Sequence, residues 1–171
     1  MVTEVNVNQN DHLEAMAHAV LEHCEQRGWT LATAESLTAG MLCARLCDIP
    51  GASQVVRGGV IAYATDVKQD VLSVDKRRLA DMGPVDQLVS EQMAEGACRV
   101  MRTDVGVSTT GVAGPEPQAG HAVGEVHIAV VTPQGSAHRK LELSGNRQSI
   151  RHQTVDAALA MLLRVLTDST P

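Results

Sequence analysis

Residues 29–40, WTLATAESLTAG, constrain the fold more than any other stretch of the chain. The apolar-leaning run over 29–34 has the length and composition of a buried strand. It ends at Glu35-Ser36 and passes through Thr38-Ala39-Gly40 into a helical pattern of Met41, Leu42, Leu46 and Ile49, closed by Pro50-Gly51. A serine at such a turn can point its hydroxyl out of the sheet edge, with backbone N–H groups of the helix start facing the same space. That arrangement suits a nucleophile or a bound anion. An ordinary capped turn uses the same residues.

The flanking segments set the architecture. A polar stretch over 1–10 reads as a short flexible arm, and residues 11–168 as one domain. Asp11 is placed to cap a helix whose apolar stripe is Leu13, Met16, Ala17, Val20, Leu21 and Cys24, stopped by Gly28. Residues 58–64 read as a strand buried on both faces. Thr65 is placed to cap a short helix over 66–72 that carries Lys68, and Asp75 starts another that ends near Gly83-Pro84. A longer helix spans 86–101, a third strand spans 105–110, and a loop runs to about residue 122. Residues 123–132 and 137–143 form a hairpin turned at Pro133-Gln134-Gly135. The last helix covers 147–166. Strands alternate with helices first and the hairpin comes late, which predicts a three-layer α/β/α sandwich with a mixed sheet. The carboxyl ends of the parallel strands then share one edge. The turn at Ser36, the segment from Tyr63 to Lys68 and the loop from Thr110 to Gly114 converge there.

Composition narrows the function. Aromatic residues are 1% of the 171, with Trp29, Tyr63 and no Phe, so base-stacking platforms have almost nothing to be built from. The net charge of -6, with no basic tract, argues against nucleic-acid binding. No apolar stretch is long enough to span a membrane, and no signal peptide is evident, so a cytoplasmic protein is expected. Cys24, Cys43, Cys47 and Cys98 form no disulfide or zinc framework and read as core residues. Neither G-x-x-x-x-G-K-[ST] nor G-x-G-x-x-G occurs, so neither ATP nor a dinucleotide is indicated.

A nucleophilic serine needs a base. None of the seven histidines falls at the end of a parallel strand. Lys68 follows a buried strand, and a lysine withdrawn from water can work as a base near neutral pH; a solvated surface lysine is the plain alternative. Tyr63 serves equally as a donor to a ligand or as the polar tip of a strand. Gly111 and Gly114 can bring backbone N–H groups near an oxyanion or phosphate, or simply turn a loop. Arg147 and Arg151 open a helix, against its dipole, which points to a ligand anion or to salt bridges with Asp86 or Glu91.

The segments TAESLTAG, GGVIAYATDVK, TGVAGP, VGEV and SGNRQSIR, in this order over residues 13–166, resemble the C-terminal domain of the competence/damage-inducible CinA proteins. Single-domain members of that family are nicotinamide-nucleotide amidases. The resemblance implies Ser36 as nucleophile, Lys68 as general base and Tyr63 assisting the pair. It implies that Thr38, Thr110, Gly111 and Gly114 line the substrate site, that Arg147 contacts the phosphate, and that Arg151 is a second contact. The implied reaction converts nicotinamide mononucleotide to nicotinate mononucleotide and ammonia, in pyridine nucleotide recycling, with no metal or cofactor, in a homo-oligomer. Leu37, Ala39, Thr65, Pro84, Asp86, the segment 118–122 and Glu125 depart from the family pattern. They leave room for an amidase of a different small amide, or for a non-catalytic nucleotide-binding or regulatory protein on the same fold.

Overall fold

The computed structural model of the chain describes residues 4–168, with side chains from residue 10 onward. The elements in order are α1 (Glu4–Gln26), β1 (Leu31–Glu35), α2 (Met41–Cys47), a single 3-10 turn (Ala52–Gln54), β2 (Val56–Ile61), α3 (Thr65–Asp70), α4 (Lys76–Met82), α5 (Gln87–Met101), β3 (Val105–Gly111), β4 (Glu125–Thr132), β5 (Gly135–Glu142) and α6 (Arg147–Asp168). The strands form one sheet in the order β2-β1-β3-β4-β5. β1 is parallel to β2 and β3, and β3, β4 and β5 run antiparallel in turn. This is the mixed α/β/α sandwich that the alternation of elements predicts.

The two-residue period of the strands divides the core between the faces. Leu31, Val105, Val107, Val126, Ile128, Val130 and Leu141 pack against the apolar faces of α1, α2 and α6. Ala32 and Ala34 face the other way, against Leu72 and Val74 and against Val89, Met93 and Ala97 of α5. With so few aromatics, close approach of backbones replaces bulky side chains. Gly106 of β3 sits under α5, where an added Cβ would overlap the Ala94 carbonyl and fall 2.7 Å from Cys98 Sγ.

The helix caps follow from composition. Asp75 accepts the Arg78 N–H at the start of α4, and Asp86 accepts those of Leu88 and Val89 at the start of α5. The Arg78 guanidinium holds Asp86 with two hydrogen bonds of 2.7 Å, which keeps that carboxyl below its ordinary range. Asp86 is thus taken by Arg78, and neither Arg147 nor Arg151 pairs with it.

Four expectations are corrected. The arm over 1–10 is helical from Glu4, and Asp11 lies inside α1 rather than capping it; residues 1–3 are outside the described range. Once a helix is nucleated, each further residue extends it at little cost. β2 is the edge of the sheet rather than a doubly buried strand: Ile61 is 55% exposed, and Tyr63 just beyond it is 56% exposed. Edge and centre share the same local pattern, because burial there depends on which strand pairs next. α3 has Ala64 at its N-cap with no side-chain hydrogen bond, so Thr65 is its first residue, not its cap. Of the cysteines, Cys24 lies in the core, while Cys47 is exposed.

Gly106→Ala is expected to lower the unfolding free energy by about 1–3 kcal/mol, because α5 must lift from β3. A thermal unfolding midpoint equal to that of the wild type would refute this packing argument.

Candidate active site

The parallel trio β2-β1-β3 ends on one edge, and the chain reverses its direction of travel across the sheet between β1 and β3. In an open α/β sheet the crevice outside that point is where ligands sit. A cavity of about 110 Å³ lies there. Its lining includes Ser36 and Leu37, Tyr63, Thr65 and Lys68, Pro84 and Val85, the loop from Thr110 to Gly114, Glu116, Gln118 and Arg147.

The turn after β1 is built by a residue that the sequence reading passed over. Glu35 is buried, on the face of β1 that looks towards α2. One carboxylate oxygen accepts the Gly40 and Leu42 N–H groups at 2.9 and 3.1 Å. The other accepts the Cys43 N–H at 2.8 Å and the Thr33 hydroxyl at 3.1 Å. The first turn of α2 therefore closes over its own anion. It follows that the amides at the start of α2 do not face the serine, contrary to expectation. Among the described residues, the Leu37 N–H beside Ser36 makes no hydrogen bond. Ala39 and Gly40 complete the turn with φ of 50° and 95°, and the alanine tolerates this left-handed geometry less well than glycine.

Ser36 is held by its own N–H, which donates to the Thr109 carbonyl at 2.9 Å. Lys68 reaches the serine from α3. Its side chain is 1% exposed, which disposes of a solvated lysine. Nζ lies 3.0 Å from Ser36 Oγ and donates to the Ala62 carbonyl at 2.7 Å. Burial lowers its pKa to about 8. The neutral amine can then accept the Ser36 proton, and the ammonium can donate to the oxygen.

The remaining expected residues divide. Thr110, Gly111, Gly114 and Arg147 line the cavity; the Thr110 hydroxyl itself donates to the Pro84 carbonyl at 2.7 Å. Tyr63 also lines it, but its phenol accepts from Arg147 Nη2 at 2.6 Å rather than meeting the serine or the lysine. Arg147 donates in addition to the Gly114 carbonyl at 2.8 Å, so it links the edge strand to the loop after β3 at the cavity mouth. Thr38 and Arg151 do not line the cavity. Thr38 is fully buried and shares a 2.7 Å hydrogen bond with Thr109. Arg151 donates to the carbonyls of Leu37 and Thr38 at 2.8 and 3.3 Å, so it braces the turn from behind. Cavity-lining residues missed in the sequence include Glu116 and Gln118 in the loop after β3.

Comparison with known proteins agrees with the fold. A family model described as the CinA C-terminal domain matches residues 13–166. A CinA-like protein from Frankia casuarinae is 43% identical over 157 residues, 92% of this chain and 36% of that protein. A putative competence-damage inducible protein from Geobacillus kaustophilus is 40% identical over 90% of this chain and 37% of its own length. The chain thus spans little more than a third of these curated relatives. Among solved structures, the competence/damage inducible protein CihA from Agrobacterium tumefaciens superposes with a TM-score of 0.85 at 35% identity, covering 91% of this chain and 95% of that one. The competence damage-inducible protein A from Klebsiella pneumoniae gives 0.88 at 27% identity over 92% and 99%.

Replacing Glu35 by Ala leaves three amide N–H groups of the turn without their acceptor. The unfolding free energy is expected to fall by about 3 kcal/mol, read from urea denaturation. An unchanged urea midpoint would show that the carboxylate does not hold the turn.

Proposed function

The chain belongs to the CinA C-terminal domain family, and from that membership and the Ser36–Lys68 contact we propose that it hydrolyses the carboxamide of nicotinamide mononucleotide to nicotinate mononucleotide and ammonia. The supporting observation is a fully buried lysine amine, with its pKa lowered to about 8, at 3.0 Å from a serine hydroxyl in a cavity. A buried lysine costs stability, and such a cost is commonly retained where the lysine has chemistry to do.

Neutral Lys68 takes the Ser36 proton as Oγ adds to the carboxamide carbon. The oxyanion accepts a hydrogen bond from the Leu37 N–H, which has no acceptor among the described residues. The carbon–nitrogen bond then breaks while the Lys68 ammonium gives its proton to the departing nitrogen, and ammonia leaves. A water molecule attacks the resulting ester, Lys68 accepts a proton from it, and that proton returns to Oγ as the ester bond breaks. The cavity is small beside those that enclose whole drug-sized ligands, so it holds the amide-bearing ring and leaves the ribose and phosphate at the mouth. Exposed Arg147 stands at that mouth.

Ser36→Ala and Lys68→Ala are each expected to cut ammonia release from nicotinamide mononucleotide by about 10²–10⁴-fold, with the fold intact by circular dichroism. Wild-type rates in both variants would end the Ser/Lys reading. The base form of Lys68 grows as pH rises, so kcat/KM should climb about tenfold per pH unit below the lysine pKa and level off above about 8. A rate that fell over that range would contradict Lys68 as base. Arg147→Ala should raise KM for the nucleotide by about 10–100-fold, and leave KM for the nucleoside lacking the 5′-phosphate nearly unchanged. Equal changes for both would separate Arg147 from phosphate recognition.

A further inference from the structure

Glu116 is the one carboxylate among the residues that line the cavity, and the proposed reaction gives it no part. Its side chain makes no hydrogen bond or ion pair among the described residues. Two other ionisable groups share the lining with Lys68 and Glu116: Tyr63 and Arg147, which are hydrogen-bonded to each other. Glu116 is therefore an unpaired negative charge in the lining of a cavity whose other fixed charge is a guanidinium.

Its setting is stiff. Glu116 stands between Pro115 and Pro117. Each proline ring fixes its own φ, and a residue before proline is held in extended conformations. The loop is tied down just beyond. Gln118 and His121 exchange two backbone hydrogen bonds of 3.1 and 2.9 Å, and His121 Nδ1 lies 3.0 Å from the Glu125 carboxylate. A charge carried on a stiff, anchored segment gives up little freedom when it meets a ligand.

Glu116 lines the same cavity as Ser36 and Lys68, so a ring held there beside the serine comes within reach of its charge. A negative charge there disfavours an acidic ring, gives a neutral ring no ionic partner, and favours a cationic one. A cationic ring also suits the lysine. A positive charge brought near Lys68 holds its amine in the neutral form that accepts the serine proton. Resting on the amidase reading of this site, we propose that Glu116 selects for substrates whose carboxamide is carried on a positively charged ring, an N-substituted pyridinium, against the same compound with a neutral dihydropyridine ring. Arg147 and Glu116 then read the two ends of one zwitterion, an anionic phosphate and a cationic ring.

The test compares pyridinium-3-carboxamide mononucleotide with its 1,4-dihydropyridine form, which keeps the amide, the sugar and the phosphate and loses the ring charge. Calorimetry on Ser36→Ala protein, which does not consume the ligand, should show the cationic form bound roughly fivefold tighter, the upper range for a partly exposed ion pair. Adding Glu116→Gln should remove that preference while leaving the affinity for the neutral form unchanged. Glu116→Gln in the otherwise wild-type chain should raise KM for the cationic nucleotide with kcat nearly unchanged. An equal loss for both forms, an undiminished preference in the Gln variant, or no binding of either form overturns the assignment. Ammonia release by the wild-type protein, measured alongside, bears on the amidase reading alone. Charge-selective binding without turnover would overturn the hydrolysis and leave the role of Glu116 in place.

Discussion

The site depends on a buried carboxylate that does no chemistry. Glu35 closes β1, turns inward under α2, and gathers three backbone N–H groups and one hydroxyl. A buried anion is costly unless it is fully hydrogen-bonded, and here it is. Because it fixes how α2 leaves the strand, it also fixes Ser36, the residue at the bend. Arg151 from α6 holds the outer side of the same bend through the carbonyls of Leu37 and Thr38. Ser36 is positioned by a buried acid on one side of the bend and by an arginine on the other, and neither lines the cavity.

Lys68 shows the opposite balance. Its stem is buried, and among the described residues its amine hydrogen-bonds only to the Ala62 carbonyl and the Ser36 hydroxyl. No carboxylate hydrogen-bonds to it, and desolvation is the cause of its lowered pKa. A carboxylate in contact would raise that pKa and hold the proton on the amine. No such contact occurs among the described residues, so nothing there opposes the lowered pKa.

Much of this was legible in the sequence. The periodicity of α5, β3 and the late hairpin survives intact, because those segments are long and their turn residues unambiguous. Asp75 announced itself as an Asp before a helical run, whereas Asp86, read as the first residue of its helix, is the cap of α5. Other features were illegible for physical reasons. An acidic residue at the end of a strand looks the same whether it faces solvent or a helix start, so Glu35 gave no signal. Whether residues 58–64 lie at the centre or the edge of the sheet depends on pairing across the whole chain. Thr38 and Arg151 sit in the right segments, yet the turn points one inward and keeps the other behind it. Two departures from the family pattern find local partners that sequence alone does not show. Asp86 binds Arg78, and Glu125 gathers His121, His127 and Lys140. Ala39 finds none, and keeps a left-handed conformation without glycine.

The lysine of the Ser36–Lys68 contact hangs from the rim of the sheet. Lys68 follows β2, which has a strand on one side only, while Ser36 follows β1, which has one on each. The Ala62 N–H donates to the Glu35 carbonyl at 2.8 Å, and that bond is the last rung joining the two. Rim strands open at lower free energy than central ones, and such openings proceed as local units. Heating therefore separates lysine from serine before the aliphatic core on either face gives way. Loss of the Ser36–Lys68 contact on warming is then an early event of the sheet margin, distinct from melting of the domain.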